Sequence, residues 1–254
     1  MSKIKKNFSK SARFYDYFYK KKSYLKEAKY ISYFFPKEKK FLLELGCGTA
    51  SHSVFLANKK NKILGIDKSS QMIAEAKQKI KNKKIKNVNF KVADILEFKS
   101  VKKFDVCLMM FNVINYIDTE KKLEKLIDNI YFNLKKDGVV IFDQWKFSNI
   151  NKNNIKIKII KINNKIITRK GTTQNLKSSD RLKINYEYVV KDSSNNNVQK
   201  FTETHYLKIY NIDKIKLLIK KKFKIVKYLS WMDYSKKPTK CDAQSFIVAK
   251  KINT

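Results

Sequence analysis

The sequence predicts an α/β fold: a doubly wound, mostly parallel seven-stranded sheet with an antiparallel last strand, plus an N-terminal helical cap and an antiparallel β insertion. Two observations carry this prediction. Apolar strand-like segments alternate with helix-like segments over about residues 40–145, which is typical of parallel strands joined by right-handed crossovers. The last two strand-like segments are closely linked, which indicates a terminal hairpin and therefore one antiparallel strand.

The first half of the chain supplies the cap and five strands. Residues 8–34 carry aromatic side chains at helix-like intervals and are expected to form one or two amphipathic helices that end before Pro36. Strands are predicted at FLLEL, KILGID, VNFKVAD, FDVCLMMF and VVIFDQW. Helices are predicted over about 51–58, 70–81 and 119–134.

The pattern changes after Trp145. Four β-rich segments, separated by turn-like runs of Asn and Ser, are NIKIKIIKI, NKIITRKGTT, RLKINYEYVVK and QKFTETHYLKIY. A helix over 211–221 and the strands FKIVKYLSW and DAQSFIVAKK follow. We therefore divide the chain into 1–149, the helical cap and ligand-binding core; 150–210, the insertion, a substrate or dimer region; and 211–254, the return to the core sheet.

The composition is globular and strongly basic. The chain has 58 Lys and Arg against 22 Asp and Glu, a formal charge of +36, and this charge is the one feature that favours a nucleic-acid partner. Nearly all of the basic residues are Lys spread over the whole length, and the arginines are Arg13, Arg169 and Arg181. Such a pattern is typical of a solvated surface under compositional bias, so we do not expect nucleic acid to be the partner.

Cysteine usage and hydropathy indicate a soluble, cytosolic protein. Cys47, Cys107 and Cys241 are far apart and include no CxxC pair, so neither a disulfide framework nor a metal site is predicted. No apolar run reaches the length that spans a bilayer, and the Lys-rich first residues do not resemble a signal peptide.

The stretch LLELGCGTASHSVFLA reads as a strand, a glycine turn and a helix start. Gly46 and Gly48 free the backbone to turn tightly and to approach a ligand, and the small residues Ala50 and Ser51 let the helix pack closely. Taken alone, this turn fits a dinucleotide, another nucleotide-like ligand or no ligand.

Acids at the ends of three strands favour a particular kind of ligand. Glu44 would repel a pyrophosphate but suits a ligand that carries an ammonium and a sulfonium. Asp67, at the end of the second strand, can accept both ribose hydroxyls. Asp94 followed by apolar Ile95 suits an adenine amino group and the face of its ring.

These segments resemble the class I S-adenosylmethionine-dependent methyltransferases. ELGCGTA is similar to their first motif, with Ala50 where a third glycine is usual, and ILGIDKSSQMIAEAK, NVNFKVADILEF and FDVCLMMFNVINYI resemble the next three motifs. The resemblance implies S-adenosyl-L-methionine as cofactor, bound by Glu44, Gly46, Gly48, Asp67, Lys68, Met72, Asp94, Ile95 and Met110. For the methionines, including Met109, filling of the core is the alternative.

A narrower resemblance concerns the acceptor. FYDYFYKKKSYLKEA, GCGTASH, FDQW and THYLKIY are similar to the methyltransferases that N-methylate amino groups on nucleotide-linked sugars. This resemblance implies that Tyr24 holds the cofactor carboxylate and that Tyr19 and the insertion face the substrate. Tyr116 stands where some relatives carry a histidine. Asp143 and Trp145 close the fifth strand and are expected to line the acceptor pocket.

The candidates for catalysis are Tyr19, Tyr116 and His205, with Asp143 also considered, because an amine acceptor must lose a proton before it attacks a methyl group. A core aromatic is the alternative for Tyr19, a structural histidine for His205 and packing for Trp145. His52, in the first turn of the helix after the glycines, is expected to support the site rather than to act as a base.

The predicted function is methylation of a small molecule, and more specifically N-methylation of an amino group on a nucleotide-activated (dTDP-type) sugar. A homodimer is considered as the oligomeric state. The alternatives are an O-methyltransferase of a sugar or other small metabolite, an RNA or protein methyltransferase, and a catalytically inactive binding subunit. The fourth strand ends in MMFN rather than an Asn-Pro-Pro-aromatic motif, which argues against an RNA-base amino methyltransferase. The intact set of glycines and strand-end acids argues against an inactive subunit.

Overall fold

The structure is a computed structural model that describes residues 8–36, 38, 40–57, 61–146, 154–176 and 180–252. The helices are α1 (Ala12–Phe18), α2 (Tyr24–Ser32), α3 (Ser51–Leu56), α4 (Ser70–Asn82), α5 (Glu120–Asn133) and α6 (Ile212–Ile219). The strands are β1 (Lys40–Leu45), β2 (Asn61–Asp67), β3 (Val88–Val92), β4 (Phe104–Met109), β5 (Leu134–Trp145), β6 (Asn154–Ile162), β7 (Lys165–Asn175), β8 (Arg181–Asp192), β9 (Asn197–Lys208), β10 (Phe223–Ser230) and β11 (Gln244–Lys251). A short 3₁₀ helix, Val113–Tyr116, follows β4.

In the described part of the chain the main sheet has seven strands in the order β10-β11-β5-β4-β1-β2-β3. The pairs among β1 to β5 are parallel, and β11 runs antiparallel to both β5 and β10. The predicted fold, with its terminal hairpin, is therefore confirmed. The strand order reverses between β1 and β4, so the crevice for a ligand lies beyond the carboxyl ends of these two strands.

The central strands form because their residues are apolar on both faces. Leu42 of β1 packs into one core with Phe246, whereas its neighbour Leu43 packs into the opposite core with Cys107 and Phe142. A strand covered on both faces reads as a continuous apolar run, which is what FLLEL and FDVCLM show. Burial of both faces fixes the strand ends, and with them the positions of the polar residues that follow.

The insertion forms a separate antiparallel sheet in the order β6-β7-β8-β9. One face of this sheet packs on α1, where Phe14 and Phe18 contact Ile167, Tyr188 and Val190 in a small core of their own. The cap and the insertion are thus joined to each other as well as to the main sheet.

Some boundaries differ from the predicted ones. Strand β5 begins at Leu134, whereas its predicted start is Val139. Its pairing with β4 already starts at Leu134 and continues after an irregular step near Asp137, which has a φ of +60°. Residue 58, at the predicted end of the helix after the glycines, and residues 150–153, at the start of the predicted insertion, lie outside the described residues. In the described ranges no helix is both long enough and apolar enough to cross a membrane.

Candidate active site

The two glycines of the turn serve different purposes. Both have positive φ, +68° at Gly46 and +52° at Gly48. A Cβ on Gly46 would lie 2.7 Å from Cγ2 of Val113, whereas a Cβ on Gly48 would meet nothing within 4 Å. Gly46 therefore lets the turn pack against the 3₁₀ helix, and Gly48 leaves open space where a ligand can approach the backbone. Ala50, the departure from the usual motif, also has a positive φ of +63°.

Asp67 joins the second strand to this turn. Its Oδ2 accepts a hydrogen bond from the Gly48 amide at 3.0 Å, and its Oδ1 accepts one from the Ser69 amide at 2.8 Å. Burial raises the pKa of Asp67 although these amides counteract it. Each oxygen accepts one backbone proton and retains a lone pair, so the carboxylate can still bind two hydroxyl donors.

Asp94 is a second oriented carboxylate at the same edge of the sheet. The Leu96 amide donates to Oδ1 at 2.9 Å and Lys68 Nζ donates to Oδ2 at 3.0 Å. Burial opposes ionisation, but these donors outweigh it and lower the pKa of Asp94. Ile95 next to it is half-buried, whereas Met72 and Met110 are buried in the core.

Glu44 turns away from the open side of the glycine turn. Its carboxylate accepts the Ser53 hydroxyl proton, lies 3.9 Å from Nδ1 of His52, and has a pKa that burial raises. Nε2 of His52 lies 2.8 Å from Glu27, which also pairs with Lys22. A connected set of polar groups that includes His52 thus ties β1, α3 and α2 together beneath the turn.

Helix α1 is attached to the glycine turn by a residue that the sequence reasoning missed. Asp16 accepts the Thr49 hydroxyl proton at 2.6 Å and pairs with Lys79 at 2.8 Å. Tyr24 packs edge-on against His52 with ring centroids 5.1 Å apart, and its hydroxyl is bonded to Ser51. Asp16 is not part of any strand-end motif. The sequence marks it only as an acidic residue within an aromatic helix.

Tyr116 and His205, 89 residues apart, meet on the opposite side of the crevice. The Tyr116 hydroxyl lies 3.1 Å from Nδ1 of His205. His205 is 1 % exposed, whereas 37 % of the Tyr116 surface is accessible, although burial of its surroundings raises the pKa of Tyr116. Tyr116 is therefore accessible to a ligand, and the buried His205 lies behind it.

Glu203 completes this group and was not anticipated from the sequence. Its Oε2 lies 3.9 Å from Nε2 of His205 and accepts the Ser11 hydroxyl proton at 2.6 Å. The amides of Ser11 and Lys10 donate to its Oε1 at 3.2 and 3.3 Å. Burial works against ionisation, but the nearby His205 ring and the hydrogen bonds from Ser11 prevail and lower the pKa of Glu203. The N-terminal segment is thereby anchored to β9.

The other predicted acceptor residues contact the segment that follows β4. Tyr19 packs edge-on against Phe111 with ring centroids 5.2 Å apart, between the loop after β4 and the insertion. Asp143 is buried and accepts the Asn112 amide proton at 2.8 Å, which fixes that loop, and burial raises its pKa to about 6. Trp145 packs against the second small core of the insertion.

Comparison with known proteins gives this site a family. A family model described as a methyltransferase domain matches residues 36–189. The uncharacterized protein MJ1252 of Methanocaldococcus jannaschii is 30 % identical over 188 residues, which make up 71 % of this chain and 68 % of that protein. A putative methyltransferase of Geobacillus is 30 % identical over 104 residues, only 42 % of its length. The chain belongs to the methyltransferase domain family.

Solved structures share the whole architecture. An S-adenosylmethionine-dependent methyltransferase from Clostridium acetobutylicum matches with a TM-score of 0.78 at 23 % identity, over 95 % of this chain and 97 % of that one. DesVI of Streptomyces venezuelae matches with a TM-score of 0.76 at 18 % identity, over 94 % and 97 %. The chain is an S-adenosyl-L-methionine-dependent methyltransferase.

Proposed function

We propose that this methyltransferase methylates an amino group on a nucleotide-activated sugar. The observation that carries the proposal is the Tyr116–His205 pair, which faces the crevice from the side of the insertion. A dTDP-3-amino-3,4,6-trideoxy-alpha-D-glucopyranose N,N-dimethyltransferase of Streptomyces venezuelae is 24 % identical over 110 residues, 43 % of this chain and 44 % of that protein. The sugar N-methyltransferase KedS8 shares the fold, with a TM-score of 0.76 at 18 % identity.

The residues around the glycine turn suit the methyl donor. Asp67 offers two oriented oxygens to ribose hydroxyls, Asp94 offers one to an adenine amino group, and the open space at Gly48 admits a ligand close to the backbone. We take Tyr24, which is bonded to Ser51 beside the turn, as the residue that holds the cofactor carboxylate. S-adenosyl-L-methionine, when bound, supplies a methyl group on a positively charged sulfur.

Calorimetry with S-adenosylhomocysteine tests these cofactor assignments. The Asp67→Ala variant should lose at least about tenfold in affinity, because hydrogen bonds to a charged acceptor contribute about 1.5–3 kcal/mol each. Asp128→Ala, an exposed acid on α5 that pairs with Lys222, is the matched control. Unchanged affinity in Asp67→Ala would remove the assignment.

The pair Tyr116–His205 can take a proton from an amine. A proton on Nε2 of His205 faces the Glu203 carboxylate, and Nδ1 then accepts the Tyr116 hydroxyl proton. The lone pairs of the Tyr116 oxygen remain for an acceptor N–H. As the amine gives its proton to this oxygen, the tyrosine proton passes to Nδ1, and Glu203 stabilises the imidazolium that forms.

The acceptor is tested by supplying the purified protein with S-adenosylmethionine and either a dTDP-linked 3-amino sugar or the matching 3-hydroxy sugar. Mass spectrometry of the products should show the added methyl group on the amino sugar. Methylation of the hydroxy sugar alone would assign an O-methyltransferase. Methylation of neither sugar, with methyl incorporation into RNA or protein, would overturn the proposal in favour of a macromolecular substrate.

We also propose that the protein forms a homodimer through the edge strand β6. Ile155, Ile157 and Ile159 form a row on the outer face of this strand, and they are 55 %, 62 % and 62 % exposed. An edge strand with free backbone groups and an apolar row can pair with a second copy of itself. Sedimentation velocity measures the outcome, and a monomer at all concentrations contradicts it.

A further inference from the structure

The inner face of the insertion, the face that packs on α1, carries three cations at one end. In the register of β6 and β7, Lys158 lies opposite Arg169 and Lys156 lies opposite Gly171. Because paired residues share a face, all three project on the same side as Tyr188, which lies opposite Arg169 on the next strand. We refer to Lys156, Lys158 and Arg169 as the inner basic cluster.

The inner basic cluster has no counter-charge in the part of the chain that the structure describes. None of its members lies within 4.0 Å of a described carboxylate, whereas cations of β7 outside the cluster do: Lys170 lies 3.8 Å from Glu187 and Lys165 lies 3.4 Å from Asp192. Burial, together with the charges of Arg169 and Lys156, lowers the pKa of Lys158. The cluster therefore repels itself, and an anion would relieve that repulsion.

Arg169 is the buried member, 8 % exposed, and its surroundings are aromatic. The guanidinium carbon lies 4.3 Å from the ring centre of Phe18, 4.9 Å from that of Tyr186 and 5.4 Å from that of Tyr19. Cation–π contacts offset part of the loss of hydration, but they supply no negative charge. A permanently charged side chain placed so deeply is suited to a ligand that brings the missing charge.

The cluster is connected to the catalytic pair by one aromatic ring. Tyr186 lies 4.9 Å from the Arg169 guanidinium and has its ring centre 5.3 Å from that of His205. A Cβ on Gly171 would lie 2.9 Å from the Tyr186 ring, so the missing side chain at this position makes room for that ring. Through these two contacts the Arg169 guanidinium lies no more than about 10 Å from the His205 ring.

We propose that the inner basic cluster is an anion subsite that binds the phosphate groups of the acceptor while its amine lies at Tyr116. The proposal rests on the proposed function, because it takes the amine to lie beside the Tyr116–His205 pair. The ligand class that fits is a diphosphate ester that also carries an amine, with the two groups separated on the scale of the distance from Arg169 to the His205 ring. Arg169 supplies a planar fork of donors and the two lysines supply mobile charges around it.

Calorimetry in the presence of S-adenosylhomocysteine tests the subsite, with dTDP and inorganic pyrophosphate as probes. Lys158→Gln and Arg169→Gln should each weaken dTDP binding by about tenfold, because each removes a charged hydrogen-bond donor. Lys170→Gln removes an equal charge from the outer face of the same strand and should leave dTDP binding unchanged. The wild type and the three variants should have the same affinity for S-adenosylhomocysteine, and an unchanged affinity in Arg169→Gln shows that this variant remains folded. Lys158→Gln tests the subsite at an exposed position, where a substitution does not disturb folding.

The outcomes separate phosphate recognition from a general effect of surface charge and from RNA binding. Pyrophosphate that competes with dTDP in the wild type supports phosphate recognition, and failure to compete overturns it. An equal loss of dTDP affinity in Lys170→Gln would show that the affinity depends on general surface charge, and it would overturn the subsite. Binding of an RNA oligonucleotide but not of dTDP would also overturn it.

Turnover distinguishes failure of the subsite from failure of the proposed function. If Lys158→Gln loses dTDP binding but no amino sugar is methylated by the wild type, the subsite stands and the amine assignment fails. If a dTDP-linked amino sugar is methylated with the same KM by the wild type and by Lys158→Gln, the subsite fails and the amine assignment stands.

Discussion

At the scale of the residue, burial and hydrogen-bond donors act in opposite directions on the carboxyls around the crevice. Asp94 receives the Leu96 amide and Lys68, and these donors lower its pKa despite partial burial. Asp143 receives the Asn112 amide, but complete burial prevails and raises its pKa to about 6. Chemically identical side chains near one site therefore ionise in different pH ranges.

The raised pKa of Asp143 predicts a stability that falls as pH rises. Between its ordinary value of 3.8 and about 6, the folded state binds more protons at this carboxyl than the unfolded state does. The free energy of unfolding therefore decreases with rising pH through this window, by about 3 kcal/mol in total. Asp143→Asn keeps an oxygen that accepts the hydrogen bond from the Asn112 amide. Because asparagine does not titrate in this range, the variant should not lose stability in this way.

Urea unfolding at intervals from about pH 4 to about pH 7 tests this prediction. Asp143→Asn should gain on the wild type by up to about 3 kcal/mol over that range. Asp128→Asn, at an exposed position on α5, should follow the wild type. A constant difference between Asp143→Asn and the wild type at every pH would contradict the prediction.

Tyr116 is the residue whose removal should affect turnover most selectively. Tyr116→Phe keeps the ring and removes the hydroxyl that bonds to His205. We expect kcat for an amine acceptor to fall by about 10²- to 10⁴-fold, the usual contribution of a positioned acid or base, with binding of S-adenosylhomocysteine unchanged. Tyr206→Phe, at an exposed position on the same strand as His205, is the control. A kcat that stays within twofold of the wild type would exclude Tyr116 from proton transfer.

At the scale of the element, the cap helix α1 is held from two sides. Asp16 ties it to the glycine turn and to Lys79 of α4, and Phe14 and Phe18 tie it to the insertion. The insertion in turn holds the N-terminal segment through Glu203. A helix of seven residues is not stable alone, so these contacts determine its position over the crevice.

The glycine turn allows a matched pair of substitutions. Gly46→Ala and Gly48→Ala share a backbone penalty of about 1–2 kcal/mol, because both positions have positive φ. Gly46→Ala adds overpacking against Val113, about 1–3 kcal/mol more. Urea unfolding should therefore show the larger loss for Gly46→Ala.

Binding of S-adenosylhomocysteine should distinguish the same two variants, with the larger loss of affinity in Gly48→Ala. Gly48→Ala places a methyl group in the open space above the turn and should weaken S-adenosylhomocysteine binding although its stability loss is the smaller. Equal stability losses would contradict the packing argument at Gly46, and full affinity in Gly48→Ala would show that the ligand does not approach this position.

At the scale of the whole molecule, the two faces of the insertion carry different side chains. The inner face carries the inner basic cluster, Tyr186 and His205, and the outer face carries the isoleucine row on β6. The two proposals above place an acceptor on one side of this small sheet and a second copy of the chain at its edge.

The homodimer proposal predicts the effect of one substitution on the β6 edge. Ile157→Lys should shift the protein from dimer to monomer in sedimentation velocity, because a charge at the middle of the row opposes pairing of two copies. Val198→Lys, on the opposite edge strand β9, is the control and should leave the dimer intact. Dissociation by Val198→Lys instead would move the interface to β9.

The sequence by itself determined the sheet, its terminal hairpin and the edge at which the ligand-binding residues gather. Local periodicity encodes strands and helices, and the handedness of parallel crossovers brings the carboxyl ends of β1, β2 and β3 to one edge. Asp67 and Asp94 therefore come to lie at the same edge as Gly48 through the topology alone.

Only the tertiary structure decided which way the side chains turn and which distant residues meet. Glu44 could face a ligand or the core, and the polar groups of α3 and α2 drew it beneath the turn. His205 meets Tyr116 across 89 residues, and Glu203 meets Ser11 across 192. Such contacts depend on how the insertion packs against the cap, which is a long-range balance of burial and hydrogen bonding that no local pattern contains.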